Sequence, residues 1–245
     1  MNKNKSKFNK SLFFNNIFEL IVMKKIPNID LHTHTSWTDG KNTVKQMHQA
    51  AVLNKCSHIL FSEHSRKSSK EWFDQFSKEV RSLDNTKCIA LVGTEVKILD
   101  LYGNLDLNNK IKNKSDIIMA SVHRFPGEED GIFSLKNKNT YKFKNEAIKL
   151  EEGLMEAALF NKNVDILGHP FGMSIKRFKK FPKKSDFKNI IKKCSKMNKV
   201  FEINSHYHSE VKWLLKTCIK YNTKVSLGSN AHSVKEVGQI YKLIK

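Results

Sequence analysis

The stretch Asn28-Ile29-Asp30-Leu31-His32-Thr33-His34 alternates polar with apolar or β-branched residues and ends in two histidines two positions apart. Side chains along a β-strand repeat every two residues, so His32 and His34 leave the same face of one strand end. The pattern recurs downstream. HILFSEH ends in His64, IALVGTE in Glu95, IIMASVH in His123, VDILGH in His169 and VSLGSNAH in His232. Each is an apolar, β-rich run that stops at an imidazole or a carboxylate, the usual ligands of Zn, Mn and Fe at hydrolytic sites. Ligands spread over most of the chain, always at strand ends, predict a barrel that gathers them into one multinuclear metal site.

Seven runs read as strands: 28–32, 58–62, 88–94, 117–122, 164–168, 199–203 and 225–229. Helical patterns lie between them. Thr43 to Asn54 follows Asp39-Gly40 and Asn42, which are turn and N-cap residues, and Lys144 to Asn161 carries Ile148, Met155 and Leu159 at helical spacing. Residues 185–196 and 208–221 read as two more helices. Repeated βα units predict the α/β class with a parallel sheet, and seven runs without an internal Pro predict a closed or nearly closed (β/α)7 barrel. Functional groups in such barrels sit at the C-terminal strand ends.

A chain of 245 residues suits one barrel domain, placed here at 26–245. Residues 1–25 differ in composition and are expected to form a poorly ordered N-terminal extension, with Met23 an alternative start. Its apolar part is interrupted by Asn15, Asn16 and Glu19, and no stretch approaches the roughly 18 apolar residues that would cross a bilayer. The cysteines, Cys56, Cys88, Cys194 and Cys218, form no C-x-x-C pair and no disulfide framework, which fits a reducing cytoplasm and assigns them no catalytic role. The net charge of +20 comes from lysines dispersed along the chain among many asparagines, without an aromatic-interleaved basic motif. An AT-rich genome produces the same bias, so nucleic acid is not favoured as a partner, whereas phosphorylated substrates would be attracted in any case.

The set IDLHTHTSWTDG, SEH, GTEVKILDLYGNLDL, SVH, LGHP, EIN and GSNAH, in this order over residues 28–235, resembles the PHP (polymerase and histidinol phosphatase) family of metal-dependent phosphoesterases. The likeness is to its small stand-alone phosphatases and to the PHP domain attached to some bacterial X-family DNA polymerases. The resemblance implies a distorted seven-stranded (β/α)7 barrel and a site for two or three divalent ions. It places His32, His34, Glu95 and Asn230 on a first metal, a bridging Glu95 with His123 and His169 on a second, and His64 and His232 with Asp39 on a third. Asn230 departs from the family's usual Asp. Asp39 precedes Gly40 and reads equally as a turn residue.

Each later histidine alone is also consistent with a structural residue; the ordered set is what carries the metal reading. Glu95 ends a buried-looking run, where an unpaired carboxylate is costly, so a metal role explains it better. His48, His58, His206 and His208 are expected to bind no metal, although the last two could line the substrate mouth. Glu202 and Asn204 read as structural or catalytic alike. Arg124 is a candidate phosphate clamp, and equally a solvated loop charge; Lys176 and Arg177 are weaker candidates. The expected chemistry is hydrolysis of a small phosphomonoester by metal-activated water, without a serine or cysteine nucleophile. A 3′–5′ exonuclease or phosphodiesterase acting on nucleic acid and a degenerate PHP module without turnover are the alternatives, the latter motivated by Asn230.

Overall fold

Seven parallel strands form one sheet in the order of the chain: β1 (Ile29–Thr33), β2 (His58–Ser65), β3 (Ile89–Lys97), β4 (Ile117–Ser121), β5 (Ile166–Leu167), β6 (Val200–Asn204) and β7 (Val225–Gly228). The computed structural model describes residues 8–69, 71–125 and 146–245. The ring closes where β1 meets the end of β7. Thr33 bridges Ala231 in parallel, His34 N donates to Ala231 O at 2.8 Å, and Ala231 N donates to His32 O at 3.2 Å. The expected α/β barrel of seven strands is the observed one. It is distorted, because β5 is only two residues long and the β1–β2 register shifts between Asp30 and Thr33.

The helices form where apolar residues recur at helical spacing. In α2 (Val44–Leu53) a capping box joins Thr43 and Gln46, and α5 (Ala147–Leu159) buries Leu154, Met155, Ala158 and Leu159. The predicted start of that helix, at Lys144, lies outside the described residues. The expected helices at 185–196 and 208–221 appear as α7 (Lys184–Lys196) and α8 (Val211–Lys220). Further helices are α3 (Trp72–Arg81), α4 (Asn109–Lys114), α6 (Gly172–Lys176) and α9 (Gln239–Ile244).

One expectation needs correction. Residues Lys10–Val22 are not poorly ordered but form helix α1, started by Asn9, whose side chain accepts from Leu12 N at 3.1 Å. Phe14, Ile17 and Ile21, at i, i+3 and i+7, are buried in the barrel core. The helix sits at the N-terminal end of the strands, since the Phe13 ring lies 5.0 Å from that of His58 at the start of β2 and Lys10 pairs with Asp165 just before β5. Burying three such side chains contributes about 5 kcal/mol at roughly 1.5–3 kcal/mol each. Deleting residues 1–22 is therefore expected to lower Tm by about 10 °C or more in a thermal melt. An unchanged melting curve would show that α1 does not hold the barrel.

Candidate metal centre

Every predicted strand-end ligand reaches one cleft at the C-terminal end of the barrel, around the buried carboxylate of Glu95. Glu95 Oε1 lies 2.8 Å from His169 Nε2 and 3.2 Å from His123 Nε2. Its Oε2 lies 2.9 Å from His64 Nδ1, 3.5 Å from His32 Nε2 and 3.6 Å from His34 Nε2. Register explains part of this, because His64 and Glu95 are direct neighbours on β2 and β3. A second group surrounds Asp39, whose Oδ2 is 3.4 Å from His64 Nε2 and 3.3 Å from His232 Nε2, while its Oδ1 is 3.9 Å from His34 Nδ1. Asp39 thus belongs with the histidines. The loop carrying it folds back on β1 so closely that a Cβ at Gly40 would sit 2.4 Å from His34 O.

Among the described residues, three groups of donor atoms are close enough to hold an ion: His34, Asp39, His64 and His232; His32, His34 and Glu95; and His64, Glu95 and His123. His34 joins two of them, one through each ring nitrogen, which the assignment by resemblance to a single metal did not anticipate. The donors fit divalent cations for a physical reason. His32 Nδ1 donates to Glu202 Oε1 at 2.7 Å, which turns its Nε2 into the cleft, 3.0 Å from His34 Nε2. Glu95 Oε2, His34 Nδ1 and His169 Nδ1 are buried without a hydrogen-bond partner. Buried ring nitrogens and a buried carboxylate oxygen without hydrogen-bond partners are costly unless a cation lies among them.

The electrostatics divide the ligands into two kinds. Burial opposes the charge on Glu95, but His123, His32 and His64 outweigh it and hold the carboxyl well below its usual range. Burial, with His64 and His32 adding to it, pushes His34 well down, and burial brings His123 to about 4 despite Glu95. Burial opposes the charge on His32 and His64 as well, but Glu202 and Glu95 hold His32 well above its usual range, and Glu95 and Asp39 bring His64 to about 10, so a cation entering here would displace protons from these two to reach the neutral, ligating form. The buried floor consists of His32, His34, Glu95 and His169, whereas Asp39 is half exposed and marks the open side of the cleft.

Residues 30–206 match the model of the PHP domain. The chain belongs to the PHP family. Among relatives, it is 27% identical over 238 residues to a Clostridium acetobutylicum protein named "Probable phosphatase", covering 89% of this chain and 84% of the other. It is 26% identical over 203 residues to the Bacillus subtilis "DNA polymerase/3'-5' exonuclease PolX", covering 79% of this chain but only 31% of that protein. Among solved structures, a Listeria monocytogenes protein described as a "putative histidinol phosphatase" superposes with a TM-score of 0.66 at 17% identity, covering 87% of this chain and 98% of the other. Histidinol phosphate phosphatase from Lactococcus lactis, complexed with Zn, L-histidinol and phosphate, does so with a TM-score of 0.54 at 17% identity, covering 89% and 92%. At such identities the two structures establish the shared fold.

Around the PHP cleft lies a layer of buried acids that sequence reasoning left open or missed. Glu202 accepts from His32 Nδ1, from His169 N and from Asn204 Nδ2, which settles its part in the apoprotein as holding the histidines. A Cβ at Gly228 would lie 2.3 Å from Glu202 Oε1 and 2.6 Å from His32 Cβ, so only glycine leaves room for that pair. Asp30, on the same face of β1 as His32 and His34, accepts from Gly238 N at 2.7 Å and from Ser229 N at 2.9 Å, tying β1 to the turn after β7; burial raises its pKa to about 6. Glu63 accepts from Thr35 N at 2.8 Å and from the Thr38 hydroxyl, which positions the loop bearing Asp39.

The turn after β5 bends sharply, with positive φ at His169 (23°) and Phe171 (65°). Glu151 of α5 anchors the first turn of α6, accepting from Met173 N at 3.0 Å and Ser174 N at 2.7 Å. Tyr207, another residue the sequence did not single out, lays its ring 4.4 Å from that of His169. His208 does not line the mouth. It is buried, accepting from Asn204 N at 3.0 Å and donating to Pro170 O at 2.9 Å. His206 is exposed beside it, His48 contacts Cys88 O at 2.9 Å within the core, and His58 lies at the opposite end of the barrel. Asn230 has φ 55°, a conformation Asn tolerates, and its carbonyl accepts from His232 Nδ1 at 2.9 Å. Arg124 follows His123 directly at the rim and is half-buried.

Proposed function

We propose that the protein hydrolyses a small phosphomonoester at a site for two or three divalent ions, Zn, Mn or Fe. The observation that carries this reading is the single carboxylate of Glu95 shared by five imidazoles at 2.8–3.6 Å, with unpaired buried donors around it. A carboxylate can serve two cations at once, which an imidazole nitrogen cannot. His32, His34 and Glu95 would hold one ion, with Asn230 beside them; Glu95, His123 and His169 a second; Asp39, His64 and His232 a third, with His34 shared. The chemistry such ions would supply when bound is a lowering of the pKa of bound water toward about 7 and neutralisation of phosphoryl charge.

The remaining steps belong to the chain. Glu202 fixes the tautomer of His32, keeping its Nε2 turned to the cleft. Glu63 holds the Asp39 loop at the open side, where substrate enters. Arg124 would clamp the phosphate from the rim. The four cysteines are buried and free, remote from any nucleophilic role and in keeping with a cytoplasmic protein. No helix of the described residues is long and apolar enough to cross a membrane.

A nuclease acting on single-stranded nucleic acid is the second reading, favoured by the PolX relative, of which this chain spans 31%. The deciding experiment loads the protein with Zn, Mn or Fe. It then compares phosphomonoesters, histidinol phosphate among them, with a single-stranded oligodeoxynucleotide. Phosphomonoester hydrolysis is expected; turnover confined to the oligonucleotide would favour the nuclease, and no turnover with any metal would favour a module without activity. Asn230→Asp provides a finer check. An amide oxygen is neutral, so restoring a carboxylate should tighten the ion at His32 and His34 by about tenfold and raise turnover. If metal titration and rate are both unchanged, Asn230 is a harmless variation.

A further inference from the structure

Cationic residues cluster beside the strand ends that carry His64, Glu95 and His123, and their position follows from strand register. His64 pairs with Glu95, and Ser65 with Val96. β2 ends at Ser65; continuing the same register by one step would set Arg66 next to Lys97, in keeping with the charge that Arg66 exerts on Lys97. Alternation puts Lys97 on the same face of β3 as Glu95, two residues or about 7 Å further out along the strand. On the other flank Lys97 pairs with Ser121 at the end of β4, and Arg124 follows three residues later. Lys97 is half-buried and feels the charges of Arg124 and Arg66, against Asp106.

This rim is held in place rather than left to solvent. Arg66 N donates to Ser69 Oγ at 3.0 Å, and Ser69 N donates back to Arg66 O at 2.9 Å. Lys67 N donates to Asp106 Oδ1 at 2.8 Å, Asn108 Nδ2 donates to Lys67 O at 2.5 Å, and Asp106 N donates to Lys97 O at 3.0 Å. The backbones under Arg66 and Lys97 are thus stitched together through the 106–108 segment. The charges carried on these backbones repel one another with only Asp106 to offset them, and a further anion among them lowers that cost. Guanidinium and ammonium groups in this setting match phosphate or carboxylate oxygens.

We propose that Arg66 and Lys97, next to the Arg124 that would clamp the scissile phosphate, form a subsite for a second anionic group of the substrate, a phosphate or carboxylate about 7 Å further out along β3 than Glu95. The proposal rests on the phosphoesterase reading and deepens it: the substrate class is a small bis-anionic phosphoester rather than a monoester with a neutral tail. A span of about 7 Å is bridged by a few bonded atoms of a small metabolite. The neighbouring phosphate of a nucleic acid offers the same chemistry at similar spacing, so an oligonucleotide is the competing outcome of the test.

The test uses the metal-loaded protein and four substrates: p-nitrophenyl phosphate, glycerol 3-phosphate, fructose 1,6-bisphosphate and a single-stranded oligodeoxynucleotide. The wild type should show kcat/KM for fructose 1,6-bisphosphate about tenfold or more above that for glycerol 3-phosphate. Lys97→Ala and Arg66→Ala should each reduce the bisphosphate value by about tenfold, mainly through KM, and at least fivefold more than they reduce the p-nitrophenyl phosphate value. Metal content should stay at the wild-type level. Equal losses on both substrates, no loss on either, or a preference for the oligonucleotide that the two variants abolish would each overturn the small bis-anion subsite. If no ester is hydrolysed with any metal, the phosphoesterase reading has failed. The subsite is then read by calorimetric titration with fructose 1,6-bisphosphate: tenfold weaker binding by Lys97→Ala sustains it, and identical binding refutes it.

Discussion

Glu95→Ala is expected to abolish hydrolysis by about a thousandfold or more and to remove more than one metal equivalent per chain, while far-UV circular dichroism still shows a folded barrel. Five imidazoles converge on this one carboxylate, from His169 at 2.8 Å to His34 at 3.6 Å, so its loss strips negative charge from two ligand groups at once. Metal-supplied stabilisation of several kcal/mol, at 1.36 kcal/mol per tenfold, gives an effect of this size. The paired measurement is metal content by inductively coupled plasma mass spectrometry and the phosphatase rate on the same preparation. Unchanged stoichiometry in the variant would remove Glu95 from its bridging position and with it the architecture proposed for the site.

Glu202→Ala should reduce metal affinity by about ten- to a hundredfold, the range for residues that orient a metal's own ligands. Glu202 is proposed to touch no ion; its Oε1 accepts from His32 Nδ1 and its Oε2 from His169 N. Removing it frees the His32 ring to rotate and to exchange tautomers, and it releases the turn at His169. High metal concentration should therefore restore much of the rate, which it cannot do for Glu95→Ala. A Glu202→Ala protein with wild-type metal affinity would show that the His32 ring is held by packing alone.

The strands were legible because each is an apolar, β-rich run ended by a polar residue. The observed β2 and β3 run on beyond the expected ends at residues 62 and 94, to Ser65 and Lys97, carrying His64 and Glu95 into the ladder. The strand-end ligands were legible for the same reason. Helix α3 was not, although Phe73, Phe76 and Val80 recur at i, i+3 and i+7, because Glu71 gives it no side-chain cap to announce a start. In α1 the stripe Phe14, Ile17 and Ile21 and the Asn9 cap were present in the sequence, but a Lys- and Asn-rich setting disguised them. The buried acids could not be read at all. Asp30, Glu63 and Glu151 look like ordinary surface carboxylates until the fold brings Ser229, Thr35 and Ser174 to them across 23 to 199 residues of chain. The double use of His34 depends likewise on the Asp39 loop turning back over Gly40, a tertiary event with no local signature.

The most direct test of the metal-centre account is the number of ions the native protein holds. Metal-free protein, dialysed to equilibrium against Zn or Mn and analysed by inductively coupled plasma mass spectrometry, should retain two or three ions per chain. Retention of less than one ion per chain with Zn, Mn and Fe alike would contradict the account, leaving the histidine and glutamate cluster as a buried polar network without a metal.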